Sequence, residues 1–236
     1  MSKSKKYEWL LFDADNTLFD FDGSAELAFW ATLEEMGMQR QADYFQTYLK
    51  INKKVWKELE EQKITQDELR SKRFDLFLQA TNHRGDPIHM NHKYLMNLVD
   101  HTKMLPGAVD LLKNLESKFK LAIITNGLKE VQRPRINRAD IGNFFHTIVV
   151  SDEIGYSKPH KGFFDYTFNQ IGHPAKDQVL VIGDSLSSDI TGGNNYGVDT
   201  CWYNPTHKAS PPESKPTFEV SGFLELETLV TNPPGR

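Results

Sequence analysis

The chain has 236 residues, 39% hydrophobic and 25% charged, which suits a globular protein with one good core, or with one core and a smaller domain. The net charge of −4 disfavours a protein that binds nucleic-acid polymers, and the single cysteine, Cys201, excludes an intrachain disulfide and a cysteine-based zinc site. No segment has the length of a membrane span, and the apolar run after the basic start is too short for a signal peptide, so we expect a cytoplasmic protein with no membrane partner.

The first predicted element is a short apolar strand that begins at Leu10 and stops at Asp13, with a second carboxylate two residues on at Asp15. Such a run is typical of a buried parallel strand, and ligands of open α/β sheets bind at the carboxyl ends of the strands. The loop after Asp13 can turn Asp15 back towards the same pocket. Two carboxylates placed in this way indicate either an Mg²⁺ site with a protonatable partner or a solvated acidic turn.

A helical segment follows, because the apolar residues then recur at helical rather than strand spacing. The predicted helices cover residues 24–36, 42–61, 65–80 and 86–100. The third begins with a capping box formed by Thr65 and Glu68. We therefore expect a helical domain over residues 21–101, inserted into an α/β domain made of residues 1–20 and 102–236.

Strands and helices alternate in the rest of the chain. The further predicted strands cover residues 120–124, 147–150, 178–182 and 199–203. Such alternation produces right-handed crossovers and a parallel sheet covered on both faces, so we predict a doubly wound α/β fold with an inserted helical domain. Pro134 is expected to break or kink the helix over 129–138. A polar loop over 204–216, a short strand and a helix over 221–230 follow the last of these strands.

Polar residues follow the later strands much as Asp13 follows the first. They are Thr125-Asn126-Gly127, Lys158, and Asp184 with Asp189 one helical turn further on. Each alone has an ordinary explanation, respectively a turn, a solvated charge and a helix cap. Because the carboxyl ends of parallel strands meet at one edge of the sheet, their coincidence predicts one shared site.

These strand ends, in this order and on these elements, resemble the four motifs of the haloacid dehalogenase (HAD) superfamily. The helical insert lies where the type I caps of that superfamily lie. Residues 12–19, 123–127, 158–165 and 201–202 further resemble the HAD pyrimidine 5'-nucleotidases, which are house-cleaning phosphatases of non-canonical nucleotides. The resemblance implies hydrolysis of a small phosphomonoester with Mg²⁺ as cofactor, and pyrimidine monophosphates such as dUMP, UMP or dTMP as substrates.

The resemblance and the chemistry of phosphate esters together assign catalytic roles. Asp13 is expected to attack phosphorus and form an aspartyl phosphate, while Asp15 protonates the leaving oxygen and then accepts a proton from water. Lys158 is expected to place a fixed positive charge against Asp13 and the phosphoryl oxygens. The residues expected to bind those oxygens are Thr125, Asn126 and Gly127.

The expected metal ligands are Asp13, Asp184 and the backbone carbonyl of Asp15, since Mg²⁺ prefers oxygen ligands. Asp189 is expected to orient a metal-bound water rather than to bind the metal directly. Thr17 is expected to steer Asp15. Five further residues are candidates for contacts with the substrate, with core packing as the alternative for the aromatic ones. They are Asn52, Lys53, Trp56, Arg73 and Phe19.

Other functions stay open at this point. A phosphatase of phosphoglycolate or of a sugar phosphate, or a phosphomutase, would use the same carboxylates. A phosphoacceptor signalling domain would not need the helical insert, and a haloalkanoate dehalogenase would not need Asp15, so both are disfavoured. The sequence leaves the oligomeric state open between monomer and homodimer.

Overall fold

The computed structural model describes residues 7–211 and 214–232, which form two compact units. One unit is Phe21–Lys103, and the other contains the described parts of Met1–Asp20 and Met104–Arg236. That the smaller unit acts as a cap stays a prediction. Within the described ranges, no helix combines the length and the apolar character needed to cross a membrane.

The larger unit is built on a six-stranded parallel sheet within the described residues. Its strands are β1 (Trp9–Phe12), β2 (Lys120–Thr125), β3 (Thr147–Val150), β4 (Val179–Gly183), β5 (Asp199–Tyr203) and β6 (Phe218–Val220). The spatial order is β3-β2-β1-β4-β5-β6, with every neighbouring pair parallel. The chain thus winds outward from β1 in both directions, and the prediction of a doubly wound α/β fold is confirmed.

The helices account for most of the remaining structure. Those between β1 and β2 are α1 (Phe21–Glu35), α2 (Tyr44–Glu60), α3 (Gln66–Ala80), α4 (Pro87–Asp100) and α5 (Ala108–Glu116). The later ones are α6 (Lys129–Arg138), α7 (Ser151–Ile154), α8 (Lys161–Gln170), α9 (Thr191–Tyr196) and α10 (Phe223–Thr231). A π-helical turn at Leu186–Ile190 directly precedes α9. The one-turn helix α7 was not predicted, because four residues are too few to show a helical period.

The sheet is buried on both faces, which explains why β1 reads as a continuous apolar run. Leu10 and Phe12 join a hydrophobic cluster that includes side chains of α5 and α10. Trp9 and Leu11 point the other way, into a cluster that includes side chains of α8. Full burial of one such aliphatic or aromatic side chain stabilises a fold by about 1.5–3 kcal/mol. The sheet is therefore a rigid support for whatever follows its strand ends.

The smaller unit contains α1 to α4 and has an aromatic core. Phe29 stacks on Tyr48 with ring centroids 4.9 Å apart, and Tyr48 stacks on Phe74 at 5.3 Å. These residues are fully buried, so core packing accounts for them. The predicted capping box is present at the start of α3, where the side chain of Thr65 accepts from the backbone N–H of Glu68, and Glu68 accepts from that of Thr65.

Helix α6 continues through Pro134. A break or kink was expected there, and the structure has no break, since one helix extends from Lys129 to Arg138. Proline removes a single backbone donor, and its side chain here is exposed, so the ring meets solvent rather than a packed neighbour. The unbroken helix matters for function, because it keeps residues before and after Pro134 on one face.

Candidate active site

Three strands of the larger unit end at the same edge of the sheet. Phe12, the last residue of β1, lies opposite Ile123 of β2 and Ile182 of β4. The backbone N–H of Asp13 then donates to the carbonyl of Ile182 at 2.8 Å, which continues the hydrogen bonding one residue past the strand. Asp13 is therefore positioned by the sheet rather than by a mobile loop.

A tight turn follows Asp13 and reverses the chain. The backbone N–H groups of Leu18 and Phe19 both donate to the carbonyl of Ala14 at 2.9 Å, and that of Asn16 donates to the carbonyl of Phe19 at 2.8 Å. Asn16 adopts a left-handed conformation with φ of 58°, which asparagine tolerates better than most residues. Burial is the main cause of the raised pKa of Asp13, and the turn leaves Asp15 close enough for its charge to add to that rise.

Lys158 is a buried cation at the centre of the site, with 1% of its surface exposed. Its Nζ donates to Asp13 Oδ1 at 2.6 Å, to Asp189 Oδ1 at 2.7 Å and to the carbonyl oxygen of Ile124 at 2.6 Å. An ammonium has three donors, so all of them are used. Burial alone would lower the pKa of Lys158, but the two carboxylates outweigh it and the net direction is upward. Lys158 therefore stays charged.

Asn126 holds the backbone of Lys158 in place. Its Nδ2 donates to the Lys158 carbonyl at 2.8 Å, and its Oδ1 accepts from the Lys158 backbone N–H, also at 2.8 Å. Next to it, Thr125 Oγ1 accepts from the backbone N–H of Gly127 at 3.1 Å. That bond leaves the hydroxyl hydrogen of Thr125 available to a ligand, whereas the N–H of Gly127 is already used in this conformation.

Asp184 and Thr17 form the other side of the site. The backbone N–H of Asp184 donates to Thr17 Oγ1 at 3.1 Å, and its carbonyl accepts from Trp202 Nε1 at 2.9 Å. Thr17 Oγ1 lies 3.4 Å from Asp13 Oδ2 as donor. Thr17 was expected to steer Asp15; it instead links Asp13 to Asp184, because the turn after Asp13 carries the hydroxyl towards β4.

Asp189 is fully buried, and both of its carboxylate oxygens are engaged. Oδ1 accepts from Lys158, and Oδ2 accepts from the backbone N–H of Ser185 at 3.1 Å. Gly183 makes room for it, since a Cβ at that position would lie 2.2 Å from Asp189 Oδ2. Asp189 thus fixes Lys158 and the loop after β4.

The carboxylates of Asp13, Asp184 and Asp189 could hold a metal ion, because each offers an oxygen within 4.8 Å of the others. Burial raises the pKa of Asp13 to about 7 and that of Asp184 to about 8; the neighbouring carboxylates add to the rise, and the charge of Lys158 opposes it. Such shifts mean that the ionised carboxylates lack enough positive charge around them. A hard divalent cation with oxygen ligands, such as Mg²⁺, fits this donor set.

Asp15 is held by two residues of α6. Gln132 Nε2 donates to Asp15 Oδ2 at 2.7 Å, and Arg135 Nη1 donates to Asp15 Oδ1. Arg135 is fully buried, with its guanidinium carbon 4.4 Å from the centre of the Phe19 ring. Each oxygen of Asp15 therefore accepts a hydrogen bond from α6, whereas the oxygens of Asp13 accept from Lys158 and Thr17.

Residues 10–203 match the model of the haloacid dehalogenase-like hydrolase family. The chain belongs to this family. It is 37% identical to YfnB of Bacillus subtilis over 96% of each chain, and a solved structure of magnesium-bound YfnB superposes with a TM-score of 0.90, covering 96% of this chain and 99% of that one. It is 36% identical to pyrimidine 5'-nucleotidase YjjG of Escherichia coli, over 95% of this chain and 98% of YjjG. Identity to pyrimidine 5'-nucleotidase PynA of Streptococcus pneumoniae is 36% over 93% of each chain.

The prediction of a HAD hydrolase that resembles the pyrimidine 5'-nucleotidases is thereby confirmed, as is that of an enzyme of the phosphoric monoester hydrolase class. Gln132 and Arg135 of this HAD enzyme were not predicted from the sequence. Their spacing of three residues on a helix that starts just after Gly127 was the available signal, since i and i+3 share a helix face. Polar residues on a helix are more often solvated, so this spacing alone did not indicate a contact with Asp15.

The five candidates for substrate contacts differ in burial and in position. Arg73 is 3% exposed, and its guanidinium donates to Asn91 Oδ1 at 3.0 and 2.6 Å and to Asn52 Oδ1 at 3.4 Å. Lys53 is exposed, and Asn52 and Trp56 are half-buried. Phe19, the fifth candidate, lies in the hydrophobic core of the larger unit, beneath Arg135.

Proposed function

We propose that this HAD hydrolase is an Mg²⁺-dependent 5'-nucleotidase that hydrolyses pyrimidine nucleoside monophosphates such as dUMP, UMP or dTMP. The observation that carries the chemistry is the pair Asp13 and Asp15, two carboxylates at one strand end with different partners. Asp13 is paired with the buried Lys158, and Asp15 with Gln132 and Arg135. The proposed substrate class rests on the full-length likeness to two pyrimidine 5'-nucleotidases.

In the first proposed step, a carboxylate oxygen of Asp13 attacks phosphorus. The bond between phosphorus and the ester oxygen breaks, and Asp15 gives that oxygen a proton, so the nucleoside leaves as an alcohol. In the second step, Asp15 takes a proton from water as the water attacks the aspartyl phosphate. The bond between phosphorus and Asp13 breaks, which releases inorganic phosphate and restores Asp13 as the carboxylate and Asp15 as the protonated acid.

Attack of one anion on another requires compensating positive charge. Mg²⁺ held by Asp13, Asp184 and the backbone carbonyl of Asp15 would supply such charge at the phosphoryl oxygens. Lys158 provides a second, permanent charge, and Asp189 keeps the ammonium aimed at Asp13. This arrangement supports phosphoryl transfer, in which positioning and electrostatic stabilisation do most of the work.

The phosphoryl oxygens need neutral donors as well. We propose that the hydroxyl of Thr125 is one of them, because its oxygen already accepts from Gly127 and its hydrogen is left to donate. The backbone N–H of Asn126 is proposed as its neighbour, while the N–H of Gly127 orients Thr125. Such preorganised donors favour the charge that develops in the transition state.

Selection of the substrate is proposed to lie with the unit Phe21–Lys103 as the cap. Asn52, Lys53, Trp56 and Arg73 stay the candidates there for contacts with base or sugar. The buried guanidinium of Arg73, held by amide oxygens, is the strongest donor among them. A cytoplasmic location, and an assembly as monomer or homodimer, stay predictions.

The test is the release of phosphate from dUMP, UMP, dTMP, AMP, phosphoglycolate and hexose phosphates, with Mg²⁺ and with EDTA. We expect preference for the pyrimidine monophosphates, loss of turnover in EDTA, and no turnover by Asp13→Asn, whose circular dichroism should match the wild type. Faster turnover of phosphoglycolate or sugar phosphates would retain the chemistry and refute the substrate class. Rearrangement of a hexose phosphate without phosphate release would indicate a phosphomutase, and turnover by Asp13→Asn would refute the nucleophile.

A further inference from the structure

Arg135 is a buried cation whose position is explained by Asp15. Its side chain has no exposed surface, its Nη1 donates to Asp15 Oδ1, and the flat guanidinium lies over the ring of Phe19. A charge in such a place is costly unless an opposite charge and well-formed hydrogen bonds accompany it. The planar guanidinium also fixes direction, because its donors point along set lines. Arg135 therefore restricts where the Asp15 carboxylate can point.

Gln132 approaches the other oxygen of Asp15. Its Nε2 donates to Asp15 Oδ2 at 2.7 Å, and the residue is 1% exposed. The space for its amide comes from Gly127, where a Cβ would lie 2.1 Å from Gln132 Nε2. Gln132 Oε1 is buried and has no hydrogen-bond partner within the part of the chain that the structure describes. The amide thus has an unused acceptor beside its used donor.

The two contacts together fix the Asp15 carboxyl group, because Arg135 engages Oδ1 and Gln132 engages Oδ2. A side chain transfers a proton only from within hydrogen-bond reach of the reacting oxygen. Holding the carboxyl group in one orientation therefore supports the transfer.

We propose that Arg135 and Gln132 are positioning residues for Asp15 in proton transfer. Arg135 fixes the direction of the carboxyl group through Oδ1, and Gln132 fixes it through Oδ2. This inference rests on the proposed function, in which Asp15 protonates the leaving oxygen.

The test compares two substrates that differ only in the need for a proton. One is the nucleoside monophosphate that the wild type hydrolyses best, and the other is its analogue with sulfur as the bridging 5' atom. A thiol is far more acidic than an alcohol, so a thiolate leaves without protonation. The value of kcat/KM is measured for both, because it reports the steps up to the first cleavage and not the later hydrolysis of the aspartyl phosphate.

The variants are Gln132→Met, Arg135→Met and Arg135→Lys, with Asp15→Asn as the reference. For Gln132→Met and Arg135→Met we expect kcat/KM to fall about 10- to 100-fold with the oxygen ester and less than about threefold with the sulfur analogue. Arg135→Lys, which keeps a cation, should recover part of the loss. Arg133→Met is the matched control, because Arg133 is on the same helix but pairs with Glu153 at 2.7 Å; its kcat/KM should not change.

The outcomes separate this inference from the proposed function. If Asp15→Asn lowers kcat/KM equally for both substrates, Asp15 is not the acid and the proposed function is wrong. If Asp15→Asn lowers kcat/KM selectively for the oxygen ester but Gln132→Met does not, the positioning role is overturned. Equal losses for both substrates in Gln132→Met and Arg135→Lys would show a merely structural role, and either variant suffices if Arg135→Met does not fold.

Discussion

Replacement of Lys158 by methionine is expected to destabilise the metal-free protein in a manner that depends on pH. Methionine is similar in length, so the change removes the charge and three hydrogen bonds while it keeps most of the volume. It leaves the buried carboxylates of Asp13 and Asp189 without the ammonium that now lies 2.6 and 2.7 Å from them. Breaking a buried ion pair by removing one partner costs about 3–5 kcal/mol.

The sign of the pH dependence follows from the pKa of Asp13. Burial raises that pKa to about 7 in the folded protein, from about 4 in an unfolded chain. Folding therefore favours the protonated form, and stability falls as pH rises until about 7, where the folded carboxyl has also ionised. Lys158 lowers this pKa, so its loss moves the pKa above 7. The variant then continues to lose about 1.4 kcal/mol per pH unit where the wild type no longer does.

The assay is equilibrium unfolding in urea with EDTA, followed by circular dichroism, at about pH 6 and about pH 9. We expect Lys158→Met to have a lower free energy of unfolding than the wild type. This deficit should be about 2–3 kcal/mol larger at the higher pH than at the lower one. Lys161→Met is the control, because Lys161 pairs with Asp165 on the surface and should show no pH-dependent change. An equal deficit at both pH values would refute the view that Lys158 compensates the charge of Asp13.

Three other changes test separate parts of the site. Mg²⁺ should raise the Tm of the wild type but not that of Asp184→Asn. The rise in the wild type should be larger at about pH 8.5 than at about pH 6, because Asp13 and Asp184 have pKa values of about 7 and 8. Equal shifts in Tm for the two proteins, or at the two pH values, would contradict this. Gly127→Ala should lower kcat/KM about tenfold or more, since the new Cβ would meet Gln132 Nε2 at 2.1 Å and displace the amide from Asp15; unchanged steady-state kinetics would contradict it. Cys201 is fully buried with a raised pKa, so a thiol reagent should label it only in urea, and labelling of the native protein would count against the packing.

The sequence was sufficient for those parts of the site that depend on strand geometry. A run such as that ending at Asp13 is typical of a buried strand, and parallel strands bring their carboxyl ends to one edge. Hence Asp13 and Asp184 directly follow β1 and β4, and Thr125 is the last residue of β2, so the three lie at one edge of the sheet, as the paired registers of these strands require.

The contacts that the sequence did not predict depend on where helices and turns carry side chains. Asn126 was predicted only as a residue that binds the phosphoryl oxygens, and its side-chain hydrogen bonds to the backbone of Lys158 were not predicted. Thr17 contacts Asp13 and the backbone of Asp184 because of the tight turn, whose direction no periodicity reveals. The face of α6 that meets Asp15 likewise depends on the packing of that helix against the sheet.

The charges of the site explain why these contacts belong together. The four carboxylates of Asp13, Asp15, Asp184 and Asp189 are accompanied by two cationic side chains, Lys158 and Arg135. When all are ionised, two negative charges among these six residues stay uncompensated, which is the charge that one divalent cation neutralises. Arg135 pairs with Asp15, so the excess falls on Asp13, Asp184 and Asp189, the group whose oxygens lie within 4.8 Å of one another. The separation gives Asp13 and Asp15, the two carboxylates that we propose to be catalytic, a cation each, and the two different cations suit the different roles proposed for them.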